Sequence, residues 1–106
     1  MSLDTSVISS DAKRLKLEHV GRFVTGKVMV RQFEQIVQSF TPSGIVDVTG
    51  WTPEAIRVLL TVCRENMQII SLRAGKKYLT PILHRDGPLF DTLIQTIVSA
   101  SRNHGF

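Results

Sequence analysis

The chain has 106 residues, a net charge of +4 and an isoelectric point near 9.7. Its 42% hydrophobic and 21% charged residues are typical of a globular protein, and they exclude an intrinsically disordered chain. A chain of this length can form one domain with a core of its own, and the single cysteine, Cys63, excludes an intramolecular disulfide.

The sequence predicts a soluble, cytoplasmic protein. The lone cysteine suits a reducing compartment. No apolar stretch approaches the about 18 residues that a membrane span needs, and the N-terminus lacks the pattern of a secretory signal. We therefore expect no contact with a membrane.

The charge is unevenly spread along the chain. Residues 1–31 carry six basic and three acidic side chains, residues 32–70 carry two and four, and residues 71–106 carry five and two. A mildly acidic middle between two basic ends favours an anionic partner or head-to-tail self-association. A net charge of +4 is nevertheless also common in proteins that bind no nucleic acid.

The N-terminal part is predicted to be a tail followed by a helix. Residues 1–10 are polar and rich in serine, which predicts a flexible tail before a single domain over residues 11–106. The first helix is expected over residues 11–20, with Ser10 or Asp11 as its N-cap. Its apolar positions show little helical periodicity.

A second helix is predicted over residues 27–40. Apolar residues recur there at helical spacing, while glutamine, arginine and glutamate occupy the other side. Thr25 could cap this helix. Pro42 ends it, because proline disfavours a helical conformation in the residue before it.

A short strand and a well-marked helix follow. The β-branched run over residues 45–48 predicts the strand. The helix is expected over residues 53–66, because Thr52 is a natural N-cap and Pro53 suits the first helical position. Trp51, just outside the cap, can pack on Ile56 as a hydrophobic staple.

Two apolar runs over residues 68–73 and 77–83 predict a β-hairpin, in which Gly75 can adopt a positive φ at the turn. Pro81 cannot donate a hydrogen bond to a neighbouring strand, so the second strand should lie at an edge. A last helix is expected over residues 88–102.

The predicted fold class is α+β, a small three-stranded sheet covered by helices. The sheet would contain residues 45–48, 68–73 and 77–83, and the helices residues 11–20, 27–40, 53–66 and 88–102. If the first two strands are neighbours, helix 53–66 is a right-handed parallel crossover.

Apolar residues occupy most of the circumference of helix 53–66. Such a helix must be covered on two sides, either within the chain or by a second subunit. The last helix has a polar but nearly uncharged face that suits partial burial. We therefore expect a homo-oligomer, or another protein–protein contact, through these two helices. The predicted interface residues are Leu59, Val62, Leu93 and Ile97.

No motif for catalysis or for a metal emerges. The segment over residues 21–28 has the GxxxxGK spacing of a phosphate-binding loop, but Val28 replaces the hydroxyl that would bind Mg²⁺. The backbone amides of residues 25–28 are still candidates for holding a phosphate. The histidines and Cys63 form no ligand motif, so we predict no metal site and no cofactor.

Basic side chains surround a tyrosine in the predicted hairpin, and others follow one another in the first helix. Cations beside an aromatic ring neutralise phosphates and stack on a base. Alternatively, the hairpin lysines only keep a sheet edge from pairing with other chains. The candidate anion-binding residues are Arg73, Lys76, Lys77, Tyr78 and Arg85 in the hairpin, and Lys13, Arg14 and Lys16 in the helix.

The sequence thus predicts a small non-catalytic binding or regulatory protein, a homo-oligomeric interaction or assembly module with a basic surface. The alternative is a nucleic-acid-binding protein that uses hairpin 73–85 and the basic first helix. A third reading is a small enzyme with a site near Asp47, where a sheet edge could open a cleft. Size and composition fit a viral accessory protein as well as a bacterial regulator.

Overall fold

A computed structural model of the chain describes residues 10–79 and 88–103. Within these residues it has four helices and a three-stranded mixed sheet, which confirms the predicted α+β class. The helices are α1 (Ser10–Val20), α2 (Gly26–Ser39), α3 (Pro53–Glu65) and α4 (Pro88–Asn103), and the strands are β1 (Ile45–Asp47), β2 (Ser71–Ala74) and β3 (Lys77–Leu79). The predicted tail up to residue 9, strand positions 80–83 and Arg85 lie outside the described residues.

The sheet has the order β1-β2-β3, with β1 parallel to β2 and β2 antiparallel to β3. Val46 and Leu79 both pair with Leu72, and this row faces the core. The rows before and after it along the strands face the other way, because side chains alternate along a strand. We call that side the open face; it carries Ile45, Asp47, Ser71, Arg73 and Tyr78.

Helix α3 joins the two parallel strands and begins where the sequence predicts. The backbone N–H of Ala55 donates to Thr52 Oγ1 at 3.2 Å, and Pro53 occupies the first turn. Thr25 precedes α2, but its side chain accepts no capping hydrogen bond. The local start signal is thus confirmed for α3, whereas the predicted side-chain cap of α2 is absent.

The core corrects the predicted interface. Helix α3 packs against α2 on one side and α4 on another, and α4 also packs against β2. Leu59, Val62 and Ile97 are consequently buried inside the chain, and Leu93 packs partly buried against the same core. The prediction that these residues form an intersubunit surface is wrong for the three buried ones, because helices of the same chain cover them.

The second strand starts later than predicted because the residues before it end α3. Met67 has a φ of 54°, its N–H donates to Arg64 O at 3.0 Å, and Gln68 N–H donates to Cys63 O at 2.8 Å. This pair of bonds is the Schellman motif that often ends a helix, here with methionine where glycine is common. Strand pairing therefore begins only at Ser71.

Candidate functional site

A groove of about 580 Å³ lies between α1 and the open face of the sheet. Side chains from α1 form one wall, and side chains from all three strands form the floor. Three of the lining residues are large apolar or aromatic side chains that are exposed to solvent, namely Leu15, Ile45 and Tyr78. Charged lining residues are Arg14, Glu18, Asp47 and Arg73. We call this feature the α1–sheet groove.

Two hydrogen bonds that Glu18 accepts hold α1 beside the sheet. Its Oε2 accepts the backbone N–H of Asp47 at 2.8 Å, and its carbonyl oxygen accepts Trp51 Nε1–H at 3.0 Å. The first bond satisfies a backbone donor on the outer edge of β1, which protects that edge from pairing with another chain. Glu18 therefore fixes the position of the groove wall.

Asp47 is part of a turn that also reaches the hairpin. Its Oδ1 accepts the backbone N–H of Thr49 at 3.0 Å and the Thr49 hydroxyl at 2.6 Å. The same hydroxyl oxygen accepts the backbone N–H of Gly75 at 2.9 Å. These bonds connect the end of β1 to the β2–β3 turn, a structural task for the carboxylate that the sequence singles out as a catalytic candidate.

Replacing Asp47 by alanine should lower the free energy of unfolding by about 1–3 kcal/mol, because the half-buried N–H of Thr49 would lose its acceptor. Asp47→Asn keeps an acceptor oxygen in the same place, so it should cost clearly less. Urea unfolding monitored by circular dichroism measures both. Equal losses for the two variants would mean that the negative charge, rather than the accepted hydrogen bonds, stabilises this turn.

The described part of the β2–β3 hairpin carries three of the seven predicted basic residues. The turn is at Gly75 and Lys76, with φ of 64° at Gly75, as the sequence predicts. Arg73 is paired directly with Tyr78, and its guanidinium carbon lies 6.0 Å from the centre of the tyrosine ring. Lys76 is exposed in the turn, and Lys77, which pairs with the core-facing Ala74, is exposed on the other side of the sheet. Over residues 71–79 the hairpin has three basic side chains and no acidic one.

The predicted basic cluster of the first helix is not one cluster. Successive residues of a helix are rotated by about 100°, so Arg14 points away from Lys13 and Lys16, which lie three residues apart on neighbouring positions of the helix surface. Arg14 lines the α1–sheet groove and pairs with Asp11 at 3.1 Å, whereas Lys13 Nζ lies 6.0 Å from the ring centre of Phe40 at the end of α2. Lys16 is exposed and does not line the groove. Only Arg14 joins the hairpin residues.

The electrostatics of the groove change from one end to the other. Glu18 and Asp47 lie at the β1 end, where each has a carboxylate oxygen that accepts backbone N–H groups. Arg73 lies on β2, and the turn beyond it adds Lys76. An anion would therefore be attracted to the hairpin end and repelled from the β1 end.

Sequence reasoning did not anticipate Leu15, Glu18 or Ile45 at the site. Ile45 could have been found, since a strand that reads Ile-Val-Asp must place Ile45 and Asp47 on the same face. Leu15 and Glu18 lie on a helix with little periodicity, and their role depends on where α1 packs. No local signal in the sequence reveals that position.

A second, smaller cavity of about 370 Å³ lies where α2 and α3 begin. Gly26, Lys27 and Arg31 from α2 and Glu54 from α3 line it. The preceding element is helix α1 and Gly21 packs against Trp51, so this segment does not have the strand–loop–helix arrangement of a nucleotide-binding phosphate loop. Its resemblance to that motif is limited to spacing.

Neither Cys63 nor a cluster of metal ligands provides a reactive centre in the described part of the chain. Cys63 is buried in α3, and burial raises the pKa of its thiol to about 11, which makes it a poor nucleophile. Among residues 10–79 and 88–103, no three histidine, cysteine or acidic side chains come together as metal ligands. No helix in that part of the chain is long and apolar enough to cross a membrane.

Comparison with known proteins found no matching family model, no matching curated protein and no matching solved structure. The groove and the hairpin are therefore the features that indicate a function.

Proposed function

We propose that the protein is a non-catalytic binding module that holds a polyanionic partner on its hairpin and the adjoining open face. The observation that carries this proposal is the charge and placement of the hairpin, which presents Arg73, Lys76 and Lys77 without a single acidic residue. Arg14 adds a cation from the opposite wall of the groove. Cations beside a concave surface attract anions and raise their local concentration.

A binding role agrees better with the geometry than a catalytic one does. Catalysis needs an acid, base or nucleophile poised beside bound substrate. Asp47 is engaged in the turn with Thr49, and Cys63 is buried with a raised pKa. As part of the same proposal, we place the protein in the reducing cytoplasm, on the basis of its single cysteine.

The simplest rival explanation is that the hairpin lysines only protect the edge of the sheet. Lys77 lies on β3, an outer strand of the described sheet, and lysines on edge strands discourage pairing with other chains. This explanation does not require Arg14 or Arg73, which are directed into the groove instead. The two explanations differ in whether the protein binds a polyanion.

Binding of a fluorescein-labelled heparin fragment, measured by fluorescence anisotropy, tests the proposal. The fragment should bind at low salt, and the double variant Lys76→Gln/Lys77→Gln should weaken binding about tenfold. The slope of log K against log salt should become shallower by about 2, since two ionic contacts are removed.

The matched control is Lys16→Gln/Lys27→Gln, which removes the same charge from two exposed positions outside the groove. It should reduce binding much less than the hairpin variant does. Equal losses would show that only the net charge matters. Failure of the wild type to bind at low salt would leave edge protection as the explanation of the lysines.

Self-association is a second candidate, favoured by exposed apolar side chains near the start of β2. Met67 is 89% exposed and Ile69 is 66% exposed. Ile45, also exposed, pairs with Ser71, which follows Ile69 by two residues along the chain. If the protein forms a homo-oligomer, we expect it to use this patch rather than the buried residues of α3 and α4.

A further inference from the structure

We infer that the polyanionic partner is a single-stranded nucleic acid and that one of its bases stacks on Tyr78. This inference rests on the proposed function and adds the chemical class of the partner. Tyr78 is 63% exposed on the open face, although a tyrosine ring is large and mostly apolar. Its neighbour across the strand pair is Arg73, and both line the α1–sheet groove.

The ring of Tyr78 is the feature that a simple anion would not use. Inorganic phosphate, heparin or an acidic peptide needs cations but no exposed aromatic surface. Nucleic-acid bases, in contrast, stack on aromatic side chains and on the plane of an arginine guanidinium. The Arg73–Tyr78 pair offers both surfaces side by side, with the guanidinium carbon 6.0 Å from the ring centre.

The charges across the sheet determine at which end of the groove the phosphates of a bound strand lie. Asp47, Arg73 and Tyr78 form one row that crosses three strands, about 10 Å at the usual strand spacing. The carboxylates of Asp47 and Glu18 repel phosphates from the β1 end. The phosphates therefore pass around the hairpin edge, where Lys76 lies in the turn and Lys77 on the other side of β3, and the bases turn inward to the groove.

Apolar side chains lie where those bases would be placed. Leu15 on the wall and Ile45 on the floor are exposed large hydrophobic residues of the same groove. They supply an apolar surface on which the faces of the bases can pack instead of contacting water. In a duplex each base is already stacked between its neighbours and cannot reach Tyr78, so the geometry selects a single strand.

The test compares two ligands of equal charge by fluorescence anisotropy at low salt. One is a labelled oligonucleotide of about ten thymidines, within the usual range of site sizes, and the other has abasic sugars in place of the thymidines. Wild-type protein should bind the thymidine strand about tenfold more tightly than the abasic strand. The corresponding duplex should bind more weakly than the single strand.

The variants Tyr78→Leu and Tyr78→Phe identify the stacking residue. Tyr78→Leu should weaken thymidine binding about tenfold and leave abasic binding unchanged, whereas Tyr78→Phe should keep most of the preference because it keeps the ring. Thermal melting by circular dichroism establishes that both variants are folded, as expected for a side chain that is largely exposed.

The outcomes separate this inference from the proposed function. Equal affinity for the two strands, equal or tighter binding of the duplex, or an equal effect of Tyr78→Leu on both strands would overturn the stacking inference while polyanion binding stands. Binding of neither strand, together with no binding of heparin, would overturn the proposed function itself.

Discussion

A methyl group added at position 21 should destabilise the protein by about 3 kcal/mol, the upper end of the usual range for overpacking. A Cβ atom at Gly21 would lie 2.2 Å from Cε2 and 2.4 Å from Cδ2 of Trp51, far inside van der Waals contact. Neither partner is free to move. Gly21 N–H donates to Leu17 O at 3.0 Å, and the Trp51 ring is held by its bond to Glu18 O and by edge-to-face packing on Phe33. Urea unfolding of Gly21→Ala measures the loss.

The control substitution is Gly26→Ala, which adds the same methyl group in open space. Gly26 has a φ of 78° and nothing within 4 Å of an added Cβ, so only backbone strain of about 1–2 kcal/mol is expected. In a Trp51→Leu background the methyl at position 21 should cost much less, since the clashing ring atoms are gone. If Gly21→Ala were no more harmful than Gly26→Ala, the close packing of α1 on Trp51 would be wrong.

Features that depend on nearby residues were predictable from the sequence. The start of α3 follows from Thr52 and Pro53, which cap and begin a helix in almost any context. The hairpin turn follows from Gly75, whose positive φ a glycine adopts without steric cost. The convergence of Arg73 and Tyr78 then follows from strand pairing around that turn.

Features that depend on distant residues were not predictable in the same way. The breadth of the apolar surface of α3 indicated cover on two sides, but not that α2 and α4 of the same chain supply it. Trp51 was expected to act locally as a staple. It also joins α1 and α2 through Glu18 and Phe33, which are 33 and 18 positions away along the chain. These long-range contacts have no local signal in the sequence.

The α1–sheet groove has the same origin. It exists because Glu18 and Trp51 hold α1 beside β1, and that contact brings Arg14 into a shared surface with Arg73 and Tyr78. A weakly amphipathic helix carries no pattern that specifies which of its sides faces a sheet. The hairpin half of the site was therefore visible in the sequence, whereas the α1 half needed the tertiary fold.

Replacing Leu59 by alanine should destabilise the folded chain by about 3 kcal/mol without altering any self-association. Leu59 is fully buried in α3, and truncating a buried leucine typically costs about 2–5 kcal/mol through lost apolar contact and the cavity left behind. A residue in the core of one chain lowers the melting temperature by the same amount at every protein concentration. A residue at an intersubunit contact makes the loss depend on concentration by mass action.

Melting curves over a hundredfold dilution series, together with light scattering, distinguish these cases. The control is Met67→Ala, because Met67 is 89% exposed and its truncation should change stability by no more than about 0.5 kcal/mol. If the protein self-associates through the exposed patch, Met67→Ala should weaken that association while Leu59→Ala leaves it intact. The reverse result would make the apolar side of α3 a contact between subunits. It would contradict the burial of Leu59, because a side chain enclosed by its own chain cannot mediate such a contact.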